Sequence, residues 1–241
     1  MSAFASWGLG WLRGLAATFV LVASTAAAAQ VTVLATHAPP TLSSRQTTLS
    51  FDRDSLAGLA TNDVLLAVLA LRGGGTAITA PAGWALVDRR DNGSDLVLAL
   101  YVHTVAPLAS EPASHGWQFG STRGAIAVIA LRGVDTASPI DPDRAGAATA
   151  AATTAITVPS IATSSNGTLH LALASAVGGG VDLTPPSGMT RRIGIATGAG
   201  PNGLALAVAT ATEPMAGAIA ATARTTTAST AALGVGITVA I

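Results

Sequence analysis

The feature that most constrains this chain is that it repeats itself. Asp63-Val64-Leu65-Leu66-Ala67-Val68-Leu69 is followed by Gly73-Gly74-Gly75 and then by Ile78-Thr79-Ala80-Pro81-Ala82-Gly83-Trp84. Thr168-Leu169-His170-Leu171-Ala172-Leu173, Gly178-Gly179-Gly180 and Leu183-Thr184-Pro185-Pro186-Ser187-Gly188-Met189 come in the same order. Gly73 and Gly178, Pro81 and Pro186, and Trp84 and Met189 are each 105 positions apart. Residues 96–100 are echoed by 204–208, and Glu111-Pro112 by Glu213-Pro214. A fixed offset held over several motifs predicts an internal duplication. The first repeat covers 46–135, a Pro- and Ala/Thr-rich crossover covers 136–152, and the second repeat covers 153–241.

Within each repeat the pattern is that of strands. Residues 64–71, 96–102 and 125–131 are short apolar runs bounded by Gly, Asn, Asp and Pro turn signals. Their counterparts are 169–174, 204–209 and 233–241. In the last of these Leu233, Val235, Ile237, Val239 and Ile241 alternate with small residues, the period-2 signature of a strand. More polar alternating stretches at 46–51, 84–89, 155–161, 189–196 and 218–225 predict outer strands. The fold class expected is all-β, an antiparallel β-sandwich of jelly-roll or immunoglobulin-like type. Runs that are apolar on both faces need two covering layers. The two repeats are therefore expected to share one core, tandem immunoglobulin-like domains being the other arrangement the pattern allows.

The N-terminus points to export. Arg13 with the α-amine, the apolar run 15–23 and the small residues 24–29 match a secretory signal peptide over 1–29, cleaved before Gln30. Residues 30–45 then form an N-terminal extension. The apolar run is too short to span a bilayer, so no stable membrane span is expected after cleavage. An outer-membrane barrel is allowed by the final alternating strand but lacks aromatic girdles. Composition excludes other classes: the chain has 12 Arg and no Lys against 12 Asp+Glu, and no Cys. Nucleic-acid binding needs a basic excess that is absent. Disulfide frameworks and Cys-based metal sites are ruled out.

The motif pieces themselves resemble a known type of module. Asp63 entering an apolar strand, Ile78-Thr79-Ala80-Pro81-Ala82-Gly83-Trp84, Glu111-Pro112 through Trp117-Gln118-Phe119, and Arg132-Gly133-Val134-Asp135 through Pro139-Ile140-Asp141 are similar to a duplicated β-sandwich module of secreted and surface bacterial proteins. The resemblance covers nearly the whole chain from about Thr47. It implies an extracellular β-sandwich found beside adhesive or sugar-binding modules, and carries over no catalytic residue.

Chemistry-bearing residues are sparse. His37, His103, His115 and His170 show no local metal-binding spacing. The Gly-Gly-Gly runs lack a following Lys and are turns. Both glutamates precede proline at matching places, which suggests a turn role rather than a catalytic pair. Asp135, Asp141 and Asp143 crowd one loop and are the candidate calcium ligands; no other cofactor is expected. Trp117 and Tyr101, with His115, are the candidate ligand-binding residues, because a sugar platform needs rings to stack on. The expected function is an exported, non-catalytic surface, matrix or adhesion module. The alternative is a carbohydrate-binding module using Trp117 and Tyr101. Surface glycans or other extracellular proteins are the expected partners.

Overall fold

A computed structural model of the chain describes residues 30–39, 44–198, 200–213, 217–219 and 223–241. The expected signal peptide lies outside the described residues. The first half contributes β1 (Thr32–His37), β2 (Gln46–Asp52), β3 (Val64–Arg72), β4 (Ile78–Thr79), β5 (Ala85–Asn92), β6 (Leu96–Thr104), β7 (Ser114–Thr122) and β8 (Gly124–Arg132). The second contributes β9 (Ala145–Ala148), β10 (Thr153–Val158), β11 (Ile161–Thr163), β12 (Thr168–Val177), β13 (Leu183–Thr184), β14 (Thr190–Thr197), β15 (Leu204–Glu213), β16 (Gly217–Ile219), β17 (Arg224–Ala232) and β18 (Gly234–Ala240). All strand pairs are antiparallel, and the protein is an all-β sandwich.

The sheets stack in four layers. A five-stranded sheet in the order β1-β8-β3-β6-β5 packs on a three-stranded sheet β2-β7-β4. A second five-stranded sheet, β9-β18-β12-β15-β14, packs on β10-β17-β13, with the short pair β11-β16 beside it. The strand order is the same in both halves, a jelly-roll order in which the fifth strand has joined the larger sheet. Both five-stranded sheets are open, with β1 and β5 at the edges of one, β9 and β14 of the other.

The doubly apolar runs explain why the two large sheets face each other. Along β3, Val64, Leu66, Val68 and Ala70 point to one side and Leu65, Ala67, Leu69 and Leu71 to the other. The first set meets Leu169, Leu171, Leu173, Leu206, Val208, Val235, Ile237 and Val239 in a central core built from both halves. The second set meets Leu49, Phe51, Trp117 and Phe119 of the outer sheet. Both faces are thereby removed from water, which neither half could achieve alone. Asn92 at the end of β5 ties the halves further. Its side-chain amide donates to Thr149 O at 3.1 Å and Gly234 O at 3.0 Å.

Several expectations shift in detail. The stretches at 84–89 and 189–196 become β5 and β14, which are edges of the large sheets rather than outer-sheet strands. The outer sheets instead use β7 and β17 between their flanking strands. The expected strand at 218–225 lies partly outside the described residues, between β16 and β17. β1 and β9 arise in segments expected to be an extension and a crossover. Each closes the edge of a large sheet by pairing with β8 or β18.

Candidate functional site

At one end of the first half, three elements bring two histidines onto a carboxylate. His103 lies near the end of β6 and His115 near the start of β7; the loop between them carries Glu111. That loop is folded by Ser110 N–H and Glu111 N–H donating to Pro107 O. Arg53 Nη1 then clamps it through Leu108 O and Glu111 O at 3.1 and 2.9 Å. Glu111 is consequently buried, with Oε1 2.8 Å from His103 Nε2 and 3.1 Å from His115 Nε2. Its Oε2 accepts the N–H of Ala106 at 2.8 Å.

Proton positions follow from the partners. His103 Nδ1 lies 2.9 Å from Gly83 O, which can only accept, so Nδ1 carries a proton. Trp84 Nε1–H donates to His115 Nδ1 at 3.0 Å, so that atom is bare and the ring proton sits on Nε2. The His115 pKa is lowered, chiefly by burial, against the opposing pull of Glu111, so the ring is neutral. His103 Nε2 in turn faces Glu111 Oε1 at 2.8 Å. Trp84 stacks on His103, with ring centroids 5.1 Å apart. Gly83 permits this approach: its φ of +81° suits glycine, and a Cβ there would meet the His103 ring at 3.1 Å.

Among the described residues, His103, Glu111 and His115 are the one group of three metal-type ligands that converges, with ligand atoms within 4.8 Å of one another. The Trp84 donor argues against a metal there. It directs the His115 proton onto Nε2, the atom a metal would need bare. The arrangement works as a buried clamp that ties the β6–β7 loop to the outer core. The second half differs: Glu213 pairs with Arg224 at 2.8 Å, and His170 Nδ1 stands 4.0 Å away. Burial lowers the His170 pKa to about 4.

The candidate ligand residues are correctly grouped but wrongly placed for a sugar. Trp117, His115 and Tyr101 are 0%, 1% and 4% exposed. Trp117 packs edge-on against Trp84 at 4.8 Å and lies 6.0 Å from Tyr101. No ring face is free for stacking, because the layer beneath β7 is filled from both sides; the carbohydrate platform is corrected to aromatic core. The calcium set is corrected as well. Asp141 accepts from Asp143 N, Ser164 N and Ser164 Oγ. Asp143 accepts from Ala162 N, and Asp135 from Ala137 N. Asp141 and Asp143 thus tie their loop to the segment at 162–164, Asp135 folds its own turn, and the three do not form a converging ligand group. Burial alone would raise the Asp141 pKa, but these donors outweigh it and hold the carboxyl below its usual range.

The sequence reading missed the Glu111 cluster because it treated Glu-Pro as a turn. The available signal was the four-residue spacing of Glu111 and His115, with His103 and His115 on the two strands that flank one Pro-bounded loop. The resemblance motifs, by contrast, acquire structural roles: Arg132 grips Asp63 through Nε at 2.9 Å and Nη2 at 2.7 Å. That fork joins the start of β3 to the end of β8. Comparison of the chain with protein-family models, with curated proteins and with solved structures gave no match.

Proposed function

We propose that the chain is an exported, non-catalytic β-sandwich module of the cell surface or extracellular matrix, presenting its faces to glycans or to other extracellular proteins. The observation that carries this reading is the four-layer stack with a central core shared by both halves. It makes a rigid block whose histidines, Glu111 and aromatic rings are engaged in packing. The signal-peptide pattern at 1–29 and the Thr-, Ser- and Gly-rich surface are consistent with a life outside the cytoplasm. No helix among the described residues is long and apolar enough to cross a membrane.

Cell fractionation with intact-mass measurement tests the reading. The expected product starts at Gln30 and appears outside the inner membrane. A full-length product confined to the cytoplasm would sink it.

A further inference from the structure

Where the β5–β6 turn, the end of β3 and the β7–β8 corner meet, three arginines line one open cleft of about 280 Å³. They are Arg45, Arg72 and Arg123; Ser94, Thr122 and Asn202 complete the polar wall. Among the described residues none of the three arginines has an ion-pair partner, whereas Arg53, Arg89, Arg90, Arg132, Arg191 and Arg224 all do. Asp95 also lines the cleft but lies beyond ion-pair distance of them. Nη1 of Arg72 and Nε of Arg123 are buried with no hydrogen-bond partner. A guanidinium N–H left dry and unpaired is costly, and three like charges around one space repel one another.

The other half shows that the fold does not ask for these residues. Arg72 N donates to Arg123 O at 2.8 Å, and Val177 N donates to Leu233 O at 2.8 Å. Gly73 N donates to Asp95 O at 2.9 Å, and Gly178 N to Gly203 O at 2.9 Å. Arg45 directly precedes β2 as Ala152 directly precedes β10. Ala152, Val177 and Leu233 line a cleft of about 350 Å³ at the corresponding place. The same backbone is thus lined by Ala, Val and Leu in one half and by three arginines in the other.

We propose that the Arg45–Arg72–Arg123 cleft is an anion-binding site for a small acidic solute or an acidic terminal group, its carboxylate, sulfate or phosphate oxygens taken by the guanidinium forks. Guanidinium matches such oxyanions with two parallel N–H donors. The Ser94 and Thr122 hydroxyls and the Asn202 amide suit a hydroxylated body attached to the anion. This site stands apart from the proposed surface role and does not depend on it.

The test is titration of the folded chain from Gln30 with galacturonate, inorganic sulfate and inorganic phosphate, followed by amide NMR, with glucose as the neutral control. Shifts are expected at Gly73, Thr122 and Arg123 with at least one anion, weakening with added NaCl; which anion binds best separates carboxylate from tetrahedral ligands. Arg72→Val with Arg123→Leu, the residues of the other half, should weaken binding by about tenfold or more. Arg123→Gln alone serves if the pair does not fold, with a smaller loss in the same direction. Absence of shifts with all three anions overturns the proposal. So does equal binding of glucose, or undiminished binding by a folded variant.

Discussion

The two halves share a strand order and a central core, yet their outer cores are built from different materials. Under β2-β7-β4 lie Phe51, Trp84, Tyr101, Trp117 and Phe119. Under β10-β17-β13 lie Ile156, Val181, Leu183 and six alanines. Leu49 faces Trp117 across β2 and β7, while Ile156 faces Thr226 across β10 and β17. Leu49 and Ile156 hold the same station: each would be struck by a Cβ added at the first residue of the following inner strand, Gly124 or Gly234. What the fold demands is therefore a filled layer, not particular rings. Positions that differ between the halves mark where one half has a load the other lacks.

The largest effect should come from the ring at the centre of that difference. Trp117→Ala is expected to cost about 3–5 kcal/mol, the range for emptying a fully buried large side chain. Thr226→Ala at the matching position should cost about 1 kcal/mol. Urea unfolding of both variants checks this; equal losses would mean that the aromatic layer carries no more stability than the alanine layer.

Next in size is a pH effect centred on the second half. His170 stands 105 positions beyond Leu65 and keeps a folded pKa of about 4 against an ordinary 6.5. The folded state holds the ring neutral, so the unfolded chain takes up the proton first as pH falls. Stability is full above about pH 6.5 and drops through the window down to about 4, by about 3 kcal/mol in all. His170→Leu, which installs the first-half residue, should flatten most of that slope. The remainder belongs to His115 and His37, whose shifts have the same sign. Unfolding midpoints at pH 7, 5.5 and 4 would show it; an unchanged slope in the variant would remove His170 as the cause.

Much of this was legible from the residues. The doubly apolar runs at 64–71 and 125–131 demanded covering layers on both faces, and that requirement alone led to a core shared between the halves. What escaped were elements without a periodic signal. Ala145-Gly146-Ala147-Ala148 has low strand propensity and becomes a strand because the edge of β18 is there to pair with it. Glu111 escaped for a different reason: its partners sit 8 residues before and 4 after it. Only the corner between β6 and β7 brings them together. The aromatic residues were identified correctly as a group, but sequence carries no sign of which way a ring faces when strands on both sides are apolar.

The glutamates give the third contrast. Glu111 is 0% exposed at its side chain and Glu213 is 27% exposed. Glu111→Gln replaces an oxygen facing two imidazoles and is expected to cost about 2 kcal/mol. Glu213→Gln loses a partly solvated pair with Arg224 and should cost under about 1 kcal/mol. Thermal melts at pH 7 decide it; a larger loss for Glu213→Gln would reverse the assignment of the clamp to the first half.

The smallest effect tests how the halves are joined. Asn92 ends β5 and reaches across to Thr149 and Gly234, whereas Thr197, which ends β14, turns back on its own hairpin. The Thr197 hydroxyl accepts Leu204 N–H at 3.1 Å. Asn92→Ala removes two neutral hydrogen bonds and should cost about 1 kcal/mol net, close to the cost of Thr197→Val. The two variants separate by location. β9 is held to β18 by only four register pairs, and Thr149 Oγ1 takes the Gly234 N–H at 2.9 Å just beyond them. Loosening Thr149 therefore frees the Gly234 and Thr149 amides to exchange, while Thr197→Val leaves them protected and exposes Leu204 instead. Hydrogen exchange resolved at these three amides reads the difference. If Asn92→Ala left Gly234 and Thr149 as protected as before, the halves would be held by the central core alone, and the side-chain tie would be incidental to it.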